Sequence, residues 1–361
     1  MVLYKKGDDF MKKHKVAMVG VGRGTAYGHI FSNHPDTEVI ALCDMDEKSL
    51  EQNGKEFSLP DSALFTEYDG ILQTDADIVV IGTPIPFHSE QSIKALEAGK
   101  HVLCEVTASD SVESCIKMVD AVRKAKTKFM LAENCCYMQF ALEWDKNIKA
   151  GKIGTPFYAE ADYVHEIRSL VDGKWRSNRA PLHYCSHSLG PILMWMDDHI
   201  VRCTASGTES RSFPVATDGN IDIQVALFET AKGATIKMAR SSVALRHPAL
   251  CTYNIIGTEG FMESSRMGYK GKGRRYFAGE DPEEGIEIDI DTSAPGITDI
   301  PLGSHGTSEY FLVRDFLKAI EEDKTPPIDI VKGMDMTIPG LIAHEAAKKG
   351  GVWLDVPRIT D

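Results

Sequence analysis

The chain lacks a long apolar run and an excess of basic residues. No segment approaches the ~20 apolar residues that a membrane-spanning helix needs, so we expect no membrane partner. The chain has 40 Lys and Arg against 53 Asp and Glu, a formal net charge of −13. This balance argues against binding to nucleic acid or to an anionic lipid surface. Residues 1–13 are charged and lack the apolar core of a signal peptide, and we interpret them as a short N-terminal extension.

The cysteines lack any regular spacing. There are eight of them, with no Cys-x-x-Cys pair, and no cluster of Cys and His has the spacing of a zinc finger. Several lie inside apolar runs, where cysteine behaves as a small hydrophobic residue. This distribution predicts a protein of the reducing cytoplasm, without disulfides and without a structural metal ion.

The first third of the chain alternates apolar runs with helical stretches. At 361 residues the chain is long enough for two domains. The alternation is typical of a doubly wound α/β fold, a Rossmann domain with a parallel sheet and crossover helices. The predicted strands are 15–19, 39–43, 76–81, 101–104 and 128–131.

A glycine loop follows the first of these strands. Gly20 permits a tight turn, Gly22 lets the backbone approach a pyrophosphate, and the following helix offers its N-terminal N–H groups to that anion. The third glycine position is imperfect: it is held by Thr25, or filled one place early by Gly24. The pattern predicts binding of a dinucleotide.

Asp44 follows the second strand, 20 positions after Gly24. A carboxylate there would accept hydrogen bonds from an adenosine ribose and repel a 2′-phosphate, which favours NAD over NADP. Arg23 is the one residue that argues for tolerance of NADP.

Polar and turn residues also end the later strands. Ligands of open α/β sheets gather at the carboxyl ends of strands, so we predict cofactor contacts there. The candidates are Thr83, Pro84, His88, Glu105 and Asn134. Two of them have a simpler alternative, since His88 could cap the next helix and Glu105 could be a surface carboxylate.

Past residue 150 the pattern becomes rich in strands. We expect strands near 157–165, 222–228, 234–239 and 253–257, and helices at 191–196, 309–322 and 331–349. Residues 270–301 are rich in glycine and acid and form either a mobile loop or a hairpin arm. These features predict a C-terminal α+β domain with a mostly antiparallel sheet. The predicted domains are therefore 14–137, which binds NAD, and 138–361, which carries the antiparallel sheet.

A His/Tyr/His cluster lies in the second domain. If the segment is helical, His183 and His187 share one face, and Tyr184 lies beside His187. Such a cluster can supply a base, a phenolic acid–base group and an orienting hydrogen bond for proton removal from an alcohol. The alternatives are histidines that only satisfy backbone carbonyls, or a chelated metal; no glutamate stands between them as in a His-Glu-x-x-His zinc motif.

The chain resembles the glucose-fructose oxidoreductase/inositol dehydrogenase (Gfo/Idh/MocA) superfamily after residue 14. The matching segments are Gly20-Val-Gly22-Arg23, Cys43-Asp44, Gly82-Thr83-Pro84 with His88, 98–105, 152–154, 256–260 and 350–357. The resemblance implies an NAD(P)-binding domain, a C-terminal sheet domain that makes homo-oligomer contacts, and no metal.

Two departures from that superfamily change the expected chemistry. The usual Glu-Lys-Pro is Glu105-Val106-Thr107 here, and Val106 cannot move a proton. His183 stands where the superfamily commonly has Asp. Two motifs, 133–137 and 184–191, are similar to the NAD-dependent α-N-acetylgalactosaminidase branch, in which a Tyr-x-x-His pair takes part in catalysis.

These observations predict a small-molecule sugar or glycoside as the partner. In this interpretation Trp175 and Arg176 face the cofactor or the sugar, and the sugar pocket includes Tyr137, Tyr163 and His165; alternation on a strand also fits a solvated face for Tyr163 and His165. The first hypothesis is a dehydrogenase that oxidises a secondary hydroxyl, at C3. The second is a glycosidase that works by transient C3 oxidation. The third is a non-catalytic, NAD-responsive regulatory protein.

Overall fold

The computed structural model describes residues 13–171, 175–212, 221–297 and 305–359. The predicted N-terminal extension lies outside these residues except for Lys13. The chain divides into two compact units, the first formed by the residues up to Asn134 with Ser293–Gly333, the second by Cys135–Thr292 with the residues from Met334. The predicted boundary near 137 is close to the observed one. The assignment of all of 138–361 to one domain is wrong, because 293–333 return to the first unit.

The first unit contains a six-stranded parallel sheet in the order β3-β2-β1-β4-β5-β6. Its strands are β1 (His14–Val19), β2 (Thr37–Cys43), β3 (Leu64–Phe65), β4 (Ile78–Ile81), β5 (His101–Cys104) and β6 (Phe129–Leu131). The central strands are apolar and buried, as expected for a sheet covered on both faces. The predicted Rossmann fold is confirmed.

Helices connect these strands, and one further helix of this unit comes from the returning segment. They are α1 (Val21–Asn33), α2 (Glu47–Glu56), α3 (Tyr68–Leu72), α4 (Ile85–Glu97), α5 (Val112–Lys124) and, after 293, α9 (Ser308–Glu321). Side chains cap two of them: Asp46 accepts from backbone N–H groups at the start of α2, and Ser111 does so for α5. Helix α1 has no such cap.

The second unit is built on a nine-stranded sheet in the order β14-β13-β12-β11-β7-β10-β9-β8-β15. Its strands are β7 (Pro156–Val164), β8 (Ile200–Gly207), β9 (Gln224–Thr230), β10 (Thr235–Ser241), β11 (Leu250–Gly257), β12 (Gly260–Glu263), β13 (Gly273–Phe277), β14 (Ile286–Ile288) and β15 (Leu354–Asp355). Among the described strands of this second sheet, only β7 and β10 pair in parallel. The predicted mostly antiparallel sheet is confirmed, and 273–288 form the hairpin arm; 298–301 lie outside the described residues.

The helices of this unit are α6 (Gln139–Lys149), α7 (Arg168–Val171), α8 (Ser186–Met196) and α10 (Ile330–Lys348, whose residues from Met334 belong here). Short 3₁₀ turns occur at Trp175–Asn178 and Pro181–His183. Helix α8 is almost wholly buried and contains Pro191. No helix among the described residues is long and apolar enough to cross a membrane.

Candidate functional site

The glycine loop joins β1 to α1 in the first unit. Gly20 has φ 84°, a left-handed conformation that side chains disfavour. A Cβ on Gly20 would also lie 2.6 Å from the backbone of Gly82 and Thr83. A Cβ on Gly22, by contrast, would meet no atom within 4 Å. The first glycine is therefore required by the fold, and the second leaves open space beside the loop.

The N-terminus of α1 opens onto this loop. Its N-cap residue, Gly20, has no side chain to cap it, and its first turn carries no acid. The N–H group of Val21 donates to Asp44 Oδ2 at 2.9 Å, and Gly24 N–H donates to Gly20 O at 2.9 Å. The other N–H groups of this first turn, with the positive helix dipole, are suited to an anion such as a pyrophosphate.

Asp44 lies directly beside the loop, as its position after β2 requires. Its Oδ1 accepts from the N–H of Asp46 at 3.0 Å, while Oδ2 holds Val21. The side chain is half-buried. The carboxylate is thereby fixed in orientation next to the place where the ribose of a bound dinucleotide would lie. Thr25, the other uncertain position of the motif, is half-buried within α1.

Arg23 projects from the first turn of α1 into a pair of carboxylates. Its Nε lies 2.6 Å from Glu105 Oε1, and its Nη2 lies 3.1 Å from Glu309 Oε1. Tyr27 O–H also donates to Glu105 Oε1, at 3.0 Å. Glu105 is consequently a buried acceptor in this network rather than a surface carboxylate. Arg23 is held by two acids, which leaves it poorly placed to receive the 2′-phosphate of NADP.

Glu309 was not singled out by the sequence. It lies in the first turn of α9 and accepts hydrogen bonds from His305 Nδ1 at 2.8 Å and from the Ser308 hydroxyl at 2.7 Å. Burial raises the pKa of this carboxyl, but the hydrogen bonds and charges of His305, Ser308 and Arg23 outweigh burial and lower the pKa to about 2. Glu309 is therefore a buried carboxylate whose negative charge is favoured by its neighbours.

Asn134 donates from Nδ2 to Glu309 Oε1 at 3.2 Å. The side chain is fully buried, and its Oδ1 has no hydrogen-bond partner among the described residues. An orphaned buried acceptor is costly. It fits a ligand that carries an N–H or O–H donor, such as the carboxamide or ribose of a nicotinamide nucleotide.

His88 lies in the first turn of α4. Its Nδ1 is 2.8 Å from Thr107 O and its Nε2 is 2.7 Å from Thr83 O. Burial lowers the pKa of the ring, although the two carbonyls oppose this. With both nitrogens engaged and 1% of its surface exposed, His88 connects the ends of β4 and β5 and is not placed to touch a cofactor directly.

The residues of the first unit fit NAD. Gly20, Gly22 and the uncapped N-terminus of α1 would hold its pyrophosphate, Asp44 its adenosine ribose, and Asn134 Oδ1 a donor of its nicotinamide half. Thr83 and Pro84 lie at the end of β4, beside Gly20. Gly24 and Thr25 continue the first turns of α1.

In the second unit, the Tyr184 hydroxyl lies 3.1 Å from His187 Nε2. The two rings meet edge to face, with centroids 5.0 Å apart. His187 lies in the first turn of α8 and is 4% exposed. The hydroxyl of Tyr253 donates to the carbonyl of His187 at 2.6 Å, which fixes the start of the helix. This phenol–imidazole pair can accept and pass on a proton.

The predicted common helical face for His183 and His187 is wrong. His183 ends the 3₁₀ turn at 181–183, Tyr184 has a non-helical backbone with φ −113° and ψ 64°, and α8 begins only at Ser186. The His183 ring instead packs edge to face on His344, at 4.7 Å between centroids. Burial, with the charge of His344, lowers the pKa of His183 to about 3. The structure thus separates His183 from the Tyr184–His187 pair.

Tyr163 and His165 do join that pair. The Tyr163 ring centroid lies 4.5 Å from that of His165 and 5.3 Å from that of His187. Burial, together with the charges of Arg240 and His187, lowers the pKa of His165 to about 3. Both rings therefore belong to the same cluster as the Tyr184–His187 pair rather than to a solvated face.

Arg240, on β10, was missed by the sequence analysis. Its guanidinium lies over the rings of Tyr163 and Tyr184, 4.8 and 5.4 Å from their centroids. The signal that could have revealed it is a cation directly after the apolar pair 238–239 of a predicted strand.

The remaining predicted residues lie in the second unit. Tyr137 is 4% exposed, at the end of the 3₁₀ turn that follows β6. Trp175 and Arg176 lie on the 3₁₀ turn at 175–178, with the guanidinium 4.3 Å from the Trp175 ring centroid. Their contact with a cofactor or a sugar stays a prediction.

Comparison with known proteins agrees with this architecture. Residues 14–133 match the model of the Gfo/Idh/MocA oxidoreductase family, NAD-binding Rossmann fold. The chain is similar to a glycosyl hydrolase family 109 protein of Solibacter usitatus, at 26% identity over 96% of this chain and 88% of that protein.

Solved structures share the fold along nearly the whole chain. Levoglucosan dehydrogenase in complex with NADH gives a TM-score of 0.84 at 20% identity, covering 96% of this chain and 100% of that one. A myo-inositol 2-dehydrogenase from Lactobacillus plantarum gives 0.78 at 18% identity, covering 96% and 100%. Residues 14–133, which lie within the first unit, therefore match the NAD-binding Rossmann domain of the Gfo/Idh/MocA oxidoreductase family.

Proposed function

We propose that the protein is an NAD-dependent enzyme that oxidises a secondary hydroxyl of a sugar or glycoside, at C3, to a keto-sugar. The observation that carries this proposal is the 3.1 Å contact between the Tyr184 hydroxyl and His187 Nε2 in a chain that also has an NAD-binding domain. When bound, NAD supplies a hydride acceptor for the carbinol carbon. The residues of the chain must then remove the proton of the hydroxyl group.

The Tyr184–His187 pair supplies that proton path. His187 Nε2 faces the phenol, so the substrate hydroxyl gives its proton to the Tyr184 oxygen as Tyr184 passes its own proton to His187. Imidazole accepts protons readily near neutral pH. This relay takes over the role of the lysine that related dehydrogenases carry and that Val106 replaces here.

A sugar as substrate is supported by the similar proteins. Levoglucosan dehydrogenase and myo-inositol 2-dehydrogenase are named for polyhydroxylated substrates, and they share the fold with this chain. The polar groups around the pair, from Tyr163 and His165, suit a polyhydroxylated ring. Analysis of the keto-sugar product tests oxidation at C3.

A glycosidase is the second candidate, because the similar curated protein is named a glycosyl hydrolase family 109 protein. Oxidation at C3 acidifies the C2 hydrogen, the anomeric substituent leaves by elimination, water adds, and the ketone is reduced again. The cofactor then ends in its starting state. Both candidates begin with the same proton removal, so both need Tyr184 and His187.

One assay separates the two candidates. Purified protein with NAD is given free sugars and p-nitrophenyl glycosides of glucose, galactose and N-acetylgalactosamine, while NADH and p-nitrophenol are followed together. NADH without p-nitrophenol supports the dehydrogenase, and p-nitrophenol without net NADH supports the glycosidase. Neither signal across the panel would leave the non-catalytic regulator as the better hypothesis.

His187→Ala tests the residues. We expect it to abolish the observed activity and to leave NADH binding nearly unchanged, because His187 lies outside the NAD-binding domain. His199→Ala, a histidine just beyond the same helix, is the matched control and should keep full activity. Full activity in His187→Ala would overturn the assignment of the proton acceptor.

We also propose that the protein is a homo-oligomer assembled through the sheet of the second unit. Val225 and Leu227 alternate along β9 and are 39% and 40% exposed. Apolar side chains at alternating positions of a sheet suit a contact with a second copy. Sedimentation of the purified chain tests this, and a monomer at micromolar concentration would overturn it.

A further inference from the structure

Arg240 is a buried cation in the second unit. Only 2% of its surface is exposed. Its Nε donates to Tyr184 O at 3.3 Å, and Nη1 donates to Tyr163 O at 3.2 Å and to Ser241 O. Nη2 makes no hydrogen bond to any described residue. The guanidinium is thus held in one orientation with one of its nitrogens unused.

No carboxylate among the described residues forms an ion pair with Arg240. Carbonyl oxygens and two aromatic faces offset part of the desolvation cost of a cation, but they do not neutralise its charge. Burial lowers the pKa of Arg240; the two tyrosines oppose this effect, and the nearby Arg176 adds to it. The positive charge of Arg176 therefore acts on the Arg240 guanidinium as well.

The neighbouring His165 presents another unused group. Its Nε2 is buried and has no hydrogen-bond partner among the described residues. The ring is in contact with Tyr163, over which Arg240 lies. Buried charges in proteins are paired, and buried polar atoms are hydrogen-bonded. An uncompensated cation beside an orphaned ring nitrogen indicates a missing anionic ligand.

We propose that the substrate of this protein carries a carboxylate, as in a hexuronate or another sugar acid, and that Arg240 is its counter-charge. This inference rests on the proposed function, because it names the substrate class of the same Tyr184–His187 site. A carboxylate has two oxygens and matches two donors, Arg240 Nη2 and the N–H form of His165 Nε2. A neutral imidazole carries one hydrogen, and the hydrogen-bond partners of the ring determine which nitrogen holds it. A carboxylate facing Nε2 of His165 would place the hydrogen on that atom, which then donates.

Binding of matched sugars tests the inference without requiring turnover. Glucuronate is compared with glucose, and galacturonate with galactose, by calorimetry on the full chain saturated with NADH. We expect at least one acid to bind about 30-fold or more tightly than its neutral counterpart, as for a desolvated charge pair. Equal affinity within both pairs would overturn the inference.

Variants assign the preference to Arg240. Arg240→Met should bring the acid and the neutral sugar to within about threefold of each other, while Arg240→Lys should keep part of the preference. Arg202→Met, an arginine of the same sheet that is exposed and paired with Glu229, is the control and should behave as wild type. An unchanged preference in a folded Arg240→Met would overturn the role of Arg240, and the wild-type comparison decides the substrate class even if that variant does not fold.

The two proposals fail in different ways. Arg240-dependent binding of an acid, with no NADH or aglycone from any sugar, would contradict the proposed function and support the counter-charge. Oxidation of neutral sugars with no preference for acids would support the proposed function and contradict the role of Arg240 as a counter-charge. If inorganic phosphate competes with glucose but the hexuronates do not, the carboxylate assignment is wrong.

Discussion

Asn134 and Glu309 are 175 positions apart in the chain, and the Nδ2 group of Asn134 donates to Glu309 Oε1 at 3.2 Å. The amide nitrogen is thereby bound to this carboxylate, which leaves Oδ1 as the group available to a ligand. Glu309 is not itself predicted to contact the cofactor. It fixes the orientation of Asn134, which is a predicted cofactor contact, and it also binds Arg23.

Glu309→Gln should weaken NADH binding about tenfold. A neutral glutamine amide can present either its oxygen or its nitrogen to Asn134, so it no longer determines which atom of the Asn134 amide faces the ligand. Titration of NADH fluorescence measures this. Glu321→Gln, an exposed acid at the other end of α9, is the control. Unchanged NADH affinity in Glu309→Gln would contradict the positioning role.

The same variant should lower stability in a pH-dependent way. The pKa of Glu309 is lowered to about 2 in the folded chain, so its stabilising contribution is complete above the ordinary value of 4.5 and is lost as the pH falls toward 2. We expect Glu309→Gln to be less stable than wild type at pH 7 and the difference to narrow below pH ~4.5. Urea unfolding at several pH values measures this, and a difference that widens in acid would contradict it.

The two glycines of the loop should respond in opposite ways to alanine. Gly20→Ala should destabilise the fold by about 3 kcal/mol or more, because it forces a side chain into a left-handed conformation and against the Gly82 backbone. Gly22→Ala should leave stability unchanged or slightly higher, yet weaken NADH binding about tenfold by filling the open space beside the loop. Thermal unfolding and NADH titration of both variants separate these effects, and tight NADH binding by Gly22→Ala would contradict the loop assignment.

The first unit was largely predictable from the sequence because its signals are local. The first two strands, the glycine loop and Asp44 lie within residues 14–44, and the later strands are short apolar runs that are also recognised locally. The return of 293–333 to that unit was not predictable, since Glu309 gains its role from partners 175 or more positions away. No local pattern carries that information.

In the second unit, the Tyr184–His187 pair was predictable and its surroundings were not. The spacing of four between His183 and His187 was interpreted as helical, whereas the chain turns through a 3₁₀ segment before α8 begins. That break sends His183 to His344 and leaves Tyr184 beside His187. Arg240 is brought next to Tyr163 because β10 pairs with β7. This pairing joins strands that are far apart in the chain, and the sequence alone does not predict its register.

Asp44 should determine the choice of cofactor. Asp44→Ser removes the charge that repels a 2′-phosphate, so the NADP-to-NAD ratio of kcat/KM should rise about tenfold or more. It should not make NADP the preferred cofactor, because Arg23 is held by Glu105 and Glu309. Adding Met45→Arg, at a neighbouring position that is 86% exposed, should supply the missing cation and raise the ratio further. A preference for NADP in Asp44→Ser alone would show that Arg23 is free to bind the phosphate.

Tyr184→Phe tests whether the phenol and the imidazole act as one relay. The variant keeps the ring under Arg240 and against His187 and removes only the hydroxyl group that lies 3.1 Å from Nε2. We expect kcat to fall about 10²- to 10³-fold with NADH affinity unchanged. Tyr158→Phe is the control, because its hydroxyl also bonds a side chain, that of Glu160, elsewhere on β7. If the two residues form one proton path, the double variant Tyr184→Phe/His187→Ala should lose little more activity than the worse single variant. Fully additive losses would mean that Tyr184 and His187 act on separate steps, and the relay would have to be abandoned.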